Sequence, residues 1–344
     1  MLYCTRKSFG KWADMKSEIL KLLRETDGYI SGQQISEQFG VSRTAVWKVI
    51  RQLQEDGYQV EAVRNKGYHI VDSPDVMTKE ELDSLMKTQW AGRNILYYDV
   101  TDSTNLRIKQ AGDEGAPHGT LAVADRQTAG RGRRGRTWIS PAGSSIYMSI
   151  LLRPEITPDK ASMLTLVMAL SVAEGIGQCM SQSECPALQI KWPNDIIING
   201  KKLAGILTEM SSQIDYINHV TIGVGINVNL TDFPEEIAQT ATSLRTECGH
   251  TVKRAPLIAA VMERLEENYD IFLKTEDLSG MIDRYSALLV NLDRDVQIIG
   301  AKETYQAHAI GIGRTGELIV RRKDSTVEKI YAGEVSVRGV YGYV

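Results

Sequence analysis

A run of glycine and arginine, Ala129 to Trp138 (AGRGRRGRTW), constrains this chain more than any other segment. Gly130, Gly132 and Gly135 satisfy the GxGxxG spacing of a dinucleotide-binding turn, and a strand-like run, GTLAVAD, precedes them. Such a turn must open a helix whose N-terminus meets pyrophosphate. The next residues, ISPAGSSIYMSILL, read instead as loop and then strand, and the GK[ST] ending of a P-loop is missing. A doubly wound nucleotide fold and a P-loop fold are both excluded. On a glycine-permitted backbone, Arg131, Arg133, Arg134 and Arg136 can surround phosphate oxygens or a developing acyl phosphate. Their bidentate hydrogen bonds are ones that an ammonium cannot copy. The loop repels itself when empty and is expected to order around an anion, with Trp138 free to stack on a base. From composition alone, a solvated basic loop or a nucleic-acid patch is the other reading.

Around this loop the chain alternates strand-like runs (SSIYMSILL, ALQIKW, DIIING, KLAGILTEM, HVTIGVGINV) with helical segments near 103–112 and 159–180. Asn199-Gly200 is a hairpin turn joining neighbouring strands, so a mixed α/β domain with a largely antiparallel sheet is expected. Two further helices are expected at about 255–273 and 277–289. The tail from Asp295 carries short strand runs between charged turns, the pattern of a small β barrel.

Three short amphipathic helices come first in the chain. Ile19, Leu22 and Leu23 mark one; Ile35 and Phe39 mark a second, opened by a capping box of Ser31 and Gln34; Val46, Val49, Ile50 and Leu53 mark a third, capped by Ser42. Gly40 and Val41 turn between the last two, and GYQVEAVRNKGYHIV then reads as a hairpin about Asn65, Lys66 and Gly67. That order is a winged helix-turn-helix. The third helix would lie in the major groove, with Ser42, Arg43 and Thr44 at base edges, Lys48 and Arg51 along it, and Arg64 and Lys66 at the wing tip. Residues 15–72 carry eight basic and eight acidic side chains, and 41–70 five against three, so any basic face is local. The alternative is a small helical domain for protein contacts. One such domain grips DNA weakly, so a dimer on a two-part operator is expected.

The expected organisation is an extension over 1–14, a DNA-binding domain over 15–74, a catalytic domain over 75–290 and a β-barrel domain over 291–344, an α+β protein overall. Its 344 residues carry 40 basic and 43 acidic side chains, so net charge implies no partner. Cys4, Cys179, Cys185 and Cys248 lack CxxC spacing and the five histidines are scattered, which suggests neither a metal site nor a disulfide framework. A reducing cytoplasm is expected. No signal peptide is legible, and the apolar run 161–173 falls short of the ~20 residues that span a bilayer, so no membrane partner is expected.

The glycine-arginine loop also resembles the signature of the biotin protein ligases. TDSTN (101–105), DRQTAGRGRRGRTW (125–138), KWPNDIIINGKKLAGILTE (191–209), GVGINVN (223–229) and GEVSVR (333–338) match that family in order, from about residue 15 to the end. With the winged helix, the chain resembles the bacterial bifunctional ligases that also repress the biotin operon. The resemblance implies a central fold like that of class II synthetases, shared with lipoate ligases, and an SH3-like barrel at the C-terminus. It implies ATP and biotin as substrates with Mg2+, a biotin carboxyl carrier domain and operator DNA as partners, and a homodimer once biotinyl-adenylate is bound.

By the same resemblance, Ser103, Thr104, Asn105 and Gln127 hold biotin, while Gly130, Arg131, Gly132 and Arg133 close over carboxylate and phosphate. Lys202 is the catalytic cation, aided by Arg131 and Arg133; by residue type alone Lys191 and Lys201 are equal rivals. Trp138 would stack on a base. Gly205, Gly223 and Gly225 interrupt strands, where a missing side chain lets ligand lie against backbone or else marks a bulge or tight strand packing. By the resemblance, Asn227 and Arg338 meet the nucleotide. Asp195 would position metal or the acceptor lysine, and Tyr147 and Ile206 are candidate walls. A repressor that only senses biotin, or a relative of the lipoate ligases, are the alternatives.

Overall fold

The computed structural model describes residues 5–180, 186–214, 216–300, 303–332 and 336–339. The chain divides into two compact units, with the boundary between Met86 and Lys87.

The first unit contains α1 (Thr5–Glu25), α2 (Gly32–Phe39), α3 (Arg43–Glu55), β1 (Gln59–Val63), β2 (Gly67–Asp72) and α4 (Lys79–Leu85). Ser31 and Gln34 form the expected capping box, each accepting the other's backbone N–H, and Gly40 ends α2 at φ 62°. Ile19, Leu23, Ile35, Val46, Ile50 and Leu53 close a core in which each helix buries one stripe. The β1–β2 wing is seated by paired hydrogen bonds between Ile30 and Tyr68, at 2.9 and 2.8 Å. At Gly67 φ is +116°, and a Cβ there would stand 2.0 Å from the Ile30 carbonyl oxygen, so only glycine fits.

Two sequence expectations change. The first helix begins at Thr5, not near Met15, so it absorbs most of the expected extension. The boundary lies at 86 instead of 74, because Glu81 of α4 is buried against Arg24 of α1 at 2.6 Å and accepts from the Tyr58 hydroxyl at 2.7 Å. The acidic α4 is thereby held as part of the first unit.

The second unit is built on a seven-stranded sheet in the order β3-β4-β5-β9-β8-β7-β6. Its strands are β3 (Ile95–Thr101), β4 (Leu121–Gln127), β5 (Ile146–Leu152), β6 (Leu188–Lys191), β7 (Asp195–Ile198), β8 (Lys201–Ser212) and β9 (Ile217–Ile226). Only β3–β4 is parallel, as their crossover through α5 (Thr104–Asp113) requires. Central strand β5 is buried at every position, consistent with cover on both faces. The apolar α6 (Leu164–Cys179) lies against α9 (Arg254–Thr275), where a Cβ on Gly175 would stand 2.7 Å from the Val261 Cα. The stretch 158–179 is long and apolar enough to cross a membrane, longer than the run expected from sequence, and two-thirds of that apolar stretch is buried inside the protein.

Short helices α7 (Glu235–Ala238), α8 (Leu244–Cys248) and α10 (Ile282–Leu288) complete this unit with β10 (Arg294–Ile299), β11 (Thr304–Ile312), β12 (Leu318–Arg322), β13 (Val327–Ile330) and β14 (Ser336–Gly339). The last five strands form an antiparallel sheet, β13-β12-β11-β10-β14. Among the described residues every pairing in it is antiparallel, as the expected small barrel requires. It belongs to the second compact unit and is not a third. Trp192 Nε1 donates to the Gly316 carbonyl at 2.9 Å, tying it to the sheet above. Cys248 is disulfide-bonded while Cys179 is a free thiol. Spacing along the sequence does not report pairing, which depends on Cα separation in the fold.

Candidate active site

At the end of β3 the chain turns into α5, and Asp102 rather than Ser103 caps the turn: its Oδ1 accepts the Ser103 N–H at 2.6 Å. The Ser103 hydroxyl makes no cap bond. Gln127, at the end of β4, accepts from Thr104 N at 2.8 Å and donates to Ser140 Oγ at 3.0 Å. Ser149 Oγ lies 2.6 Å from Asn105 Oδ1, and Asn105 Nδ2 donates to Glu209 Oε2 at 2.8 Å. A polar floor results whose members fix one another's rotamers.

The glycine-arginine segment is a hairpin. Trp138 N–H donates to the Gly130 carbonyl at 2.9 Å and Gly132 N–H to the Arg136 carbonyl at 2.7 Å, with Arg134 (φ 56°) and Gly135 (φ 72°) closing the tip. The hairpin splits its arginines. Arg131 faces Glu209 at 3.6 Å, Arg133 donates to Asn194 Oδ1 at 2.6 Å, and Arg134 and Arg136 are turned to a second cleft. Arg133, Arg134 and Arg136 thus line one cleft, and Arg131 and Arg133 the other. Burial pulls Arg133 below its ordinary pKa, opposed by the nearby Asp195 carboxylate.

Lys202 follows the Asn199-Gly200 turn near the start of β8. Its Nζ stands 2.6 Å from Asp195 Oδ1 and 5.5 Å from the centre of the Trp138 ring. Trp138 lies flat on the strands: a Cβ on Gly225 would stand 2.4 Å from the indole, and one on Gly205 3.0 Å. At Gly223 a Cβ would stand 1.9 Å from Asn105 Oδ1. All three glycines line the first cleft, and the groups packed closely over Gly223 and Gly225 are the protein's own Asn105 and Trp138. The buried Trp138 Nε1 has no hydrogen-bond partner.

Two clefts meet here. The first is floored by Ser103, Thr104, Asn105 and Gln127 with apolar walls at Met148 and Val224. The second, the roomier of the two, is lined by Arg134, Arg136, Asp195, Asn227, Phe233 and Ile237. Gly132, Arg133, Trp138, Asn194 and Lys202 wall both.

Most residues singled out in the sequence are thus brought together, including Arg131, Gly205, Gly225 and Ile206 in the first cleft. Asn227 belongs to the second, its Nδ2 held by the Thr242 carbonyl at 3.1 Å. Gly130 lines neither, and stands where a Cβ would meet the Trp138 carbonyl oxygen at 2.3 Å. Tyr147 lines neither; its hydroxyl donates to the Pro141 carbonyl at 3.0 Å. Of the three rival lysines, Lys202 lines both clefts whereas Lys191 and Lys201 line neither. The Arg338 side chain lies outside the described residues, as do residues 333–335 of that motif. Glu209, Ser149 and Asn194 were missed. Ser149 left a signal, as the one polar side chain within the apolar run IYMSILL. Residues 230–241 left none.

In the first unit Ser42 caps α3, accepting Ala45 N–H at 3.2 Å. Arg43, Thr44, Lys48 and Arg51 on α3, and Arg64 and Lys66 on the wing, are all exposed.

Comparison with known proteins matches residues 97–227 to the biotin/lipoate A/B protein ligase family and residues 16–69 to a helix-turn-helix domain. The bifunctional ligase/repressor BirA of Bacillus subtilis is 38% identical, over 94% of this chain and 98% of that protein. Its Escherichia coli namesake is 31% identical, over 90% and 92%. Among solved structures, the Aquifex aeolicus biotin protein ligase in complex with biotin and ATP superposes with a TM-score of 0.63 at 30% identity, covering 72% of this chain and 99% of that one.

Proposed function

The chain belongs to the family of bifunctional ligase/repressors, and from that premise we propose that it joins biotin to ATP, transfers the biotinyl group to a lysine of another protein, and represses transcription through its helix-turn-helix. The observation that carries the enzymatic half is the wall shared by the two clefts. Biotin takes the first cleft, its ring heteroatoms against the Thr104, Asn105 and Gln127 floor and its chain along Met148 and Val224. ATP takes the second. The carboxylate then meets the α-phosphate at the junction, where the Lys202 ammonium and the Arg133 guanidinium stand.

A carboxylate is a poor acyl donor because oxide would have to leave. Its oxygen therefore attacks the α-phosphorus, the bond to the β-phosphate oxygen breaks, and pyrophosphate departs with that electron pair. Negative charge grows on the α-phosphoryl oxygens, and Lys202 and Arg133 stabilise it from fixed positions in a half-buried site. In the free protein Asp195 and Asn194 hold these two cations in place. In the second step the amine of the acceptor lysine attacks the acyl carbon, AMP leaves, and the amine loses one proton as the amide forms. Trp138 and the hairpin screen the mixed anhydride from water.

Among the described residues no cluster of three or more His, Cys, Asp or Glu side chains could hold a metal. Mg2+ needs less: it keeps its waters and binds through one or two carboxylates plus substrate phosphates. Asp195, on the wall of the second cleft, fits that role. The ion would neutralise the triphosphate, while the chain's own cations act on the α-phosphoryl group.

The acceptor on this reading is a biotin carboxyl carrier domain, as the name of the Paracoccus denitrificans relative, a biotin--[acetyl-CoA-carboxylase] ligase, suggests for that protein. Biotinyl-adenylate favours a homodimer that grips a two-part operator, and both partners make the cytoplasm the working compartment. Biotin-dependent exchange of labelled pyrophosphate into ATP tests the reading. Exchange is expected with biotin and not with lipoate; exchange with lipoate alone would move the chain to the lipoate ligases, and none with either would leave a biotin-sensing repressor.

A further inference from the structure

The recognition helix α3 carries a residue that its fold does not need. Val46, Val49, Ile50 and Leu53 form its buried stripe, yet Trp47 is 47% exposed. At helical spacing it stands between Arg43 and Arg51, one turn to either side, and the Arg51 guanidinium lies 5.4 Å from the ring centre. Glu55 holds Arg51 from the far side at 3.3 Å. Trp47 also lines a groove between α3 and the wing, shared with Arg43, Thr44, Val63 and Arg64. No carboxylate lines that groove. An indole flanked by cations in a groove free of acidic groups fits polyanionic DNA and not an average protein surface.

Resting on the reading of this unit as DNA-binding, we propose that Trp47 reads sequence, by placing its apolar ring against the 5-methyl group of a thymine in each half of the operator. Phosphate contacts position a protein but carry no sequence information, whereas base edges in the major groove do. On those edges the one apolar feature is the thymine methyl. Arg51 and the wing's Arg64 neutralise phosphates beside the ring, and Arg51 holds its orientation.

The test uses the full chain with biotin and ATP. Duplexes are selected from a randomised pool, and binding is then measured on the selected duplex with thymines replaced one at a time by uracil, which lacks only the methyl. Wild type is expected to lose affinity about fourfold at one position per half-site, the worth of one buried methyl-sized group. Trp47→Ala should bind thymine and uracil duplexes alike, while Trp47→Phe restores part of the preference. Non-specific binding at low salt should be unchanged in Trp47→Ala, which also controls for folding. Indifference of wild type to uracil at every position would overturn the proposal, as would a preference that survives in Trp47→Ala. Should wild type select no sequence at all, it is the DNA-binding reading that fails.

Discussion

Lys202 is the residue on which the proposed chemistry turns. Because its ammonium walls both clefts, Lys202→Ala should lower the rate of biotin-dependent pyrophosphate exchange about 10²- to 10³-fold, the usual cost of removing one preorganised charge donor. Unfolding of the first unit should not change, and an undiminished exchange rate would remove the assignment. Gly225→Ala tests the seat of Trp138. A methyl 2.4 Å from the indole must displace the ring, and misplacement by about 1 Å can cost up to about a hundredfold in turnover. The intrinsic tryptophan emission should shift with the rate; a silent Gly225→Ala would mean that the ring's seat has no part in catalysis. At this scale the sequence spoke through chemistry. Arginines, a lysine after an Asn-Gly turn and glycines in strands all pointed to one site. It could not say that Asn105 and Trp138 themselves occupy the space over Gly223 and Gly225, because that depends on side chains more than 80 residues apart meeting across the sheet.

Among the elements, the wing depends on Gly67. Gly67→Ala places a methyl against the Ile30 carbonyl at a φ that side chains resist, so the first unit should lose about 2–4 kcal/mol by denaturant unfolding. The connection after α5 is sensitive to acid. Burial, helped by Arg153, lowers the pKa of His118, whose Nδ1 must stay unprotonated to accept the Arg153 N–H at 2.9 Å. Its contribution to stability is complete above the unfolded value of about 6.5 and is lost as pH falls from there through the lower folded value. The second unit should therefore melt at lower temperature near pH 5 than near pH 7.5, and His118→Gln should flatten that slope; an equal slope in both would acquit His118. Elements were legible wherever local chemistry decides them. Ser31 with Gln34, Gly40 and Asn199-Gly200 all stand where their caps and turns require. The place of α4 was not legible, because only the burial of Glu81 against Arg24 reveals it.

For the molecule as a whole, two compact units serve two activities, and the adenylate is the proposed link between them. With biotin and ATP the sedimenting mass should double at micromolar protein, while either substrate alone should leave it unchanged; a mass indifferent to both would cut the link between ligation and repression. The fold class followed from the order of strands and helices, but the number of compact units did not, since the last sheet is fixed to the rest by side chains such as Trp192 that look local in sequence. The most direct measurement mixes the purified chain with biotin, ATP, Mg2+ and a biotin carboxyl carrier domain and weighs the carrier. A biotin ligase should leave the carrier heavier by one biotinyl group on one lysine, with one pyrophosphate and one AMP released for each; a carrier of unchanged mass would contradict the assignment.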